Sequence, residues 1–162
     1  MDYTPESIRR KGMERKSQSK KLLDGLAKNP PPQLDYLMQD LHDEAFNEID
    51  CLSCANCCKT TSPIFRDRDI ERISKHLKIR PAQLIEQYLM LDSDGDYVLR
   101  TAPCPFLMSD NYCSIYAVRP QACSTYPHTD RKKFHQLTRL TYENSFICPA
   151  VQHILEALEK RL

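Results

Sequence analysis

Glycine is scarce in this chain, three residues in 162, and most all-β folds need far more of it for turns and bulges. Long apolar runs are absent as well: nothing approaches the roughly 18 consecutive apolar residues that a membrane-spanning helix requires. The opening stretch MDYTPESIRRKGMERK has no apolar segment of the kind a secretory signal carries, so a cytoplasmic setting is expected. Excess charge of either sign is lacking too, because 23 Lys/Arg against 22 Asp/Glu leave a formal charge of +1. That excludes a general polyanion binder or an acidic tail. There is no glycine-rich phosphate loop and no G-x-S-x-G elbow, and Asp92, Asp94 and Asp96 have no downstream glutamate to complete a calcium loop. The C-x3-C-x2-C triad of radical enzymes is missing. Any catalysis would have to sit at a metal.

What remains is an ordinary globular composition, 41% apolar and 28% charged, in a length that suits one domain. The expected fold class is mainly α: a small helical domain framing a loop-rich cysteine centre, with at most a short β-hairpin. Residues 5–27 read as a weakly amphipathic basic helix, which NPPP at 29–32 ends. Residues 33–49 give the clearest helical period, with Leu34, Leu37, Met38, Leu41, Ala45 and Ile49 on one face. Further helices are expected at 67–78, from Pro81 through Leu89, and at 149–162. Asp94-Gly95 predicts a turn before a short strand, Tyr97–Thr101, pairing near Tyr112–Ile115. The domain reading is a helical hairpin over 1–49, a cysteine domain over 50–150 and a closing helix over 149–162, all in one compact unit. Residues 1–28 carry eight Lys/Arg against four Asp/Glu, and 29–50 carry six Asp/Glu with no Lys or Arg; the two stretches are complementary. No aromatic residues interleave the basic run as a single-strand nucleic-acid platform would require, so it reads as a solvated helix face that could also meet a protein partner.

The chemistry lies in the cysteines. Cytosolic thiols are kept reduced, so eight of them point to metal or redox work before disulfides. Cys51, Cys54 and Cys57 form a C-x2-C-x2-C array, whose thiolates can converge on one centre. Zinc and a cubane iron–sulfur cluster each call for four protein ligands. Cys58 follows Cys57 directly, and adjacent side chains diverge, which implies a second metal or a polynuclear centre. Cys104, Cys113, Cys123 and Cys148 must be gathered by the fold. The working hypothesis gives Cys51, Cys54 and Cys57 one remote partner at a first centre and assigns Cys58 with the remaining three to a second. His128 could replace a thiolate but reads more simply as a surface or capping residue. His42, His76, His135 and His153 show no partner pattern.

The run C51-x2-C54-x2-C57-C58, then C104-PFL, C113-SIY-AVRP-QAC123-STYP and C148-PA, resembles the YkgJ-type cysteine-cluster family, over roughly residues 50–150. The resemblance implies chelation of zinc or iron through all eight cysteines. Ser124 stands where many members have arginine, and Thr101-Ala102-Pro103 replaces a glycine that usually precedes CPFL. Thiolates suit both metals; the array and the adjacent cysteines lean slightly toward an iron–sulfur cluster over Zn2+. Three functions stay open: a metal-binding or carrier protein, a structural zinc module for an interaction through residues 1–28, and an iron–sulfur redox or protein-modification accessory enzyme.

Overall fold

The computed structural model describes residues 3–162; the first two residues of the basic segment lie outside them. The fold is mainly α with one two-stranded antiparallel hairpin. The chain divides into two units, residues 1–56 with 127–162, and residues 57–126. Among the described residues no helix is long and apolar enough to cross a membrane.

The first unit contains α1 (Pro5–Glu14), α2 (Lys16–Lys28), α3 (Leu34–Glu48), α4 (Cys51–Cys54), α9 (Thr138–Asn144) and α10 (Pro149–Arg161). Leu34, Met38, Leu41 and Ala45 form the buried stripe of α3, and Val151, Ile154, Leu155 and Leu158 that of α10. These two stripes pack together. Full burial of a Leu or Ile side chain is worth about 1.5–3 kcal/mol, so this pair is the main apolar contact of the unit. The Asp35 carboxylate accepts from the backbone N–H groups of Lys133 (2.7 Å) and Phe134 (2.9 Å), and the Phe134 ring is completely buried.

The expected helix over 5–27 is broken at Arg15, where φ is −99° and ψ is 6°. Its halves pack on different partners, α1 on α10 and α2 on α9, which one straight rod could not do. Arg15 pairs with Glu156 and Glu159 of α10. The acidic helix α3 likewise turns to α10, with Glu44 on Arg161 and Glu48 near His153. Arg15 of the basic stretch and Glu44 and Glu48 of the acidic one thus each meet α10. Helix α9 has no counterpart among the helices expected from apolar spacing.

The second unit contains most of α5 (Asn56–Thr60), then α6 (Asp67–Leu77), α7 (Pro81–Tyr88), β1 (Leu89–Leu91), β2 (Tyr97–Leu99) and α8 (Gln121–Ser124). Its core is Phe65, Ile70, Ile73, Leu84, Leu89, Leu99, Phe106 and Ile115, with Cys104 and Cys113 packed against it. β2 pairs with β1, Leu89 opposite Leu99 and Leu91 opposite Tyr97, and not with 112–115 as expected. The cause is local. The Asp92 carboxylate accepts from the N–H groups of Asp94 and Asp96, both at 2.9 Å, and Gly95 takes φ +82°, so the chain folds straight back. Leu89, expected at the end of a helix, starts the hairpin instead. Cys113 bridges Leu107 in a separate small turn.

Two glycines give opposite expectations. A Cβ on Gly12 would lie 2.8 Å from the Ser145 carbonyl oxygen and 3.0 Å from the Phe146 ring, whereas Gly25 in α2 has nothing within 4 Å. In urea unfolding, Gly12→Ala should lower stability by about 1–3 kcal/mol through overpacking, and Gly25→Ala should raise it by about 0.5–1 kcal/mol. Equal effects of the two would contradict the packing of α1 described above.

Candidate metal centre

In the first unit the cysteine run begins as one helical turn. The Asp50 carboxylate caps α4, accepting from the Leu52 N–H at 3.0 Å and the Ser53 hydroxyl at 2.8 Å. The turn closes at Ala55, in the left-handed region at φ 49°, whose N–H donates to the Cys51 carbonyl at 2.8 Å. Cys51 and Cys54, three residues apart, therefore share a face. The Asn56 side-chain amide donates to the Ile147 carbonyl at 2.7 Å, tying the run to the residue before Cys148. Pro149 follows as the first residue of α10, which ends the approach segment at that thiol. Burial first, and then the neighbouring Cys51 and Cys54, push the Cys148 thiol up to about 12. The Cys148 sulfur thus lies within electrostatic range of both Cys51 and Cys54.

In the second unit Cys57 and Cys58 ride on α5, and the Cys58 carbonyl accepts from the Cys104 N–H at 2.8 Å. From Cys104 the chain makes a tight loop and returns. The Leu107 N–H donates to the Cys104 carbonyl at 3.0 Å, Met108 N–H to the Tyr112 carbonyl at 2.8 Å and Ser114 N–H to the Phe106 carbonyl at 2.8 Å. This brings Cys104 and Cys113 to one end. Cys123 comes from α8, where its N–H donates to the Pro120 carbonyl at 2.9 Å.

That α8 segment is held by α6. Asp69, 2% exposed, accepts from the Arg66 N–H at 3.0 Å, the Arg72 guanidinium at 2.7 Å and the Gln121 N–H at 3.1 Å. Arg72 also donates to the carbonyls of Val118 (3.2 Å) and Arg119 (2.8 Å). Burial alone would raise the Asp69 carboxyl, but these donors outweigh it and hold its pKa below the ordinary range.

The thiols of this unit differ sharply. A hydrogen bond from Cys57, with help from the Lys59 ammonium, overcomes burial and draws Cys58 down to about 7. Burial, then the proximity of Cys58 and Cys113, pushes Cys104 up to about 11. Burial, then Cys58, Cys104 and Cys113, pushes Cys123 up to about 12. Cys113 is raised by burial and by Cys58, while Arg119 acts in the opposite sense on both Cys113 and Cys123. Cys58, Cys104, Cys113 and Cys123 are thus mutual neighbours. Lys59 and Arg119, neither singled out as site residues from the sequence, supply the adjacent positive charge; the only signal was Arg119 in the AVRP segment.

None of the eight cysteines is in a disulfide. Among the described residues no group of three or more His, Cys, Asp or Glu side chains converges closely enough to hold a metal ion. The sets are neighbours in electrostatic range, and their donor chemistry, all sulfur with cations beside one set, fits a thiophilic metal. His128, half-buried in the first unit at φ 68°, is lowered by burial and by Arg131. His42 is engaged with the Thr129 hydroxyl at 2.8 Å and stacks on Phe46.

A family described as "Putative zinc- or iron-chelating domain" matches residues 50–141, more than half of the chain, and the chain belongs to this CxxCxxCC family. Neither curated proteins nor solved structures gave a match.

The thiol values have two consequences for the metal-free chain. Raised thiols favour the folded state while they are protonated. Their stabilising contribution is therefore complete below the ordinary value of 9.0 and is lost as pH rises through about 11 for Cys104 and about 12 for Cys123 and Cys148. Cys58, drawn down to about 7, should react with iodoacetamide at pH 7.5 well before Cys104, Cys123 and Cys148. Peptide mass spectrometry after brief labelling would show this; equal labelling of Cys58 and Cys123 would contradict the arrangement.

Proposed function

We propose that the protein binds metal through thiolates in two sets. Cys58, Cys104, Cys113 and Cys123 form one, and Cys51, Cys54 and Cys148 belong to the other. Cys57, hydrogen-bonded to Cys58 in the second unit, is assigned to neither set. The observation that carries this reading is that four thiols of one unit, drawn from positions 58 to 123, lie within electrostatic range of one another with Lys59 and Arg119 beside them. Four half-buried thiols gathered together have no packing purpose that a small apolar residue would not serve better. As thiolates they repel one another, and a thiophilic cation removes that repulsion. A tetrathiolate zinc site keeps excess negative charge, which Lys59 and Arg119 are placed to offset.

Iron, as an iron–sulfur cluster, is the reading favoured by the closely spaced cysteines; zinc bound by the same sulfurs is the alternative. Either suits a reducing, cytoplasmic setting. The role is metal binding or metal handling, with residues 1–28 a candidate surface for a protein partner.

Metal and acid-labile sulfide analysis of chain purified without oxygen, with an absorption spectrum, tests the reading. Iron, sulfide and a broad band near about 400 nm would identify a cluster; colourless protein with zinc alone would identify the alternative. Cys51→Ser and Cys58→Ser should each remove metal from one set and spare the other, with helicity checked by circular dichroism. Full metal content in both variants would sink the proposal.

A further inference from the structure

The second unit carries a cleft of about 890 Å³ on the flank of α6, within the range of roughly 300–1,000 Å³ usual for small-molecule sites. Its lining is unusual in charge. Arg66, Arg68, Arg72 and Arg119 face it together with Asp67 and Asp69, four cations against two anions, an excess of two positive charges on a chain whose total is only +1.

The Arg72–Asp69 pair is internally satisfied. Asp69 is saturated by Arg66 N–H, Arg72 and Gln121 N–H, and most of the Arg72 donors go to it and to the carbonyls of Arg68, Val118 and Arg119. This pair forms a rigid wall. Arg119 is pre-oriented: its guanidinium stacks 3.9 Å from the centre of the Tyr116 ring and spends one N–H on the Tyr116 carbonyl at 3.0 Å. Arg66 and Arg68 are exposed at the rim. Asp67 offsets one of these three remaining cations.

Gathering guanidinium groups in one concavity is electrostatically unfavourable unless an anion fills it. Planar guanidinium forks match oxyanions in bidentate fashion. Apart from Tyr116 and Ala117 the lining offers no apolar anchor, so an apolar ligand has nothing to bury. We propose that this cleft binds a small multiply charged oxyanion, a compound bearing phosphate or carboxylate groups, between the rim arginines and Arg119. No cysteine lines the cleft, although Arg119 is shared between it and the neighbouring thiols.

Titration calorimetry of the full metal-loaded chain with pyrophosphate and, in parallel, with citrate at low salt tests the proposal. Saturable binding that weakens with added salt is expected, and the Arg66→Ala/Arg68→Ala double variant should bind at least about tenfold more weakly. Those two side chains make no hydrogen bond that the fold depends on, and unchanged metal content and circular dichroism in the variant would verify it. Binding of pyrophosphate alone would make the ligand a phosphate compound, and binding of citrate alone or of both would make it a carboxylate or a general oxyanion; each supports the site. Absence of saturable binding to either probe, or undiminished binding in the double variant, would overturn it. The second result would trace binding to the metal instead.

Discussion

One buried carboxylate organises the second unit. Asp69 sits near the start of α6 and gathers a backbone N–H from its own helix start, a guanidinium from the next turn and a backbone N–H from the head of α8, 52 residues away. An ionised carboxylate with no partners would be very costly to bury, so its burial at 2% exposure makes those three donors obligatory. Through them α6 is locked to the segment that delivers Cys123, and Arg72 extends the lock to the carbonyls of Val118 and Arg119. The cysteine loop is thus fixed both by the demand of one buried charge and by the apolar core against which Cys104 and Cys113 pack.

The same segment places its cations to two ends. Arg119 partly opposes the burial-driven rise of the Cys113 and Cys123 thiols and, stacked on Tyr116, lines the cleft beside α6. At Cys58 the Cys57 hydrogen bond acts first and the Lys59 ammonium adds to it in the same sense. Clustered thiols resist ionisation because each new thiolate meets its neighbours' charge in a poorly solvated site. Nearby cations reduce that resistance, which is the condition a thiolate centre must meet before it can hold a metal at neutral pH.

Helical elements with strong apolar periodicity are legible in the sequence. The stripe Leu34, Met38, Leu41 and Ala45 is buried as its spacing requires, and Pro149 opens α10. The departures from that periodicity share a cause. The break at Arg15 arises because α1 and α2 serve different partner helices, and nothing in residues 5–27 encodes that division. Leu89 continues an apolar helical period yet enters a strand, since the Asp92 side chain and Gly95 make a reversal just beyond it. A residue's phase in a helix says nothing of a turn that forms a few residues later.

The amino-acid sequence by itself determined the helical class, through apolar spacing and a shortage of glycine, and the sulfur-based chemistry, through four cysteines in eight positions and four more beyond. Those are properties of local spacing and side-chain type, which the chain carries in any conformation. Only tertiary structure decided which remote thiols become neighbours: Cys148 with Cys51 and Cys54, and Cys104, Cys113 and Cys123 with Cys58. It also decided that Arg119 faces both thiols and cleft. Such pairings depend on loop closure over tens of residues, fixed by distant contacts such as Gln121 to Asp69 and Asn56 to Ile147, and no local pattern encodes them.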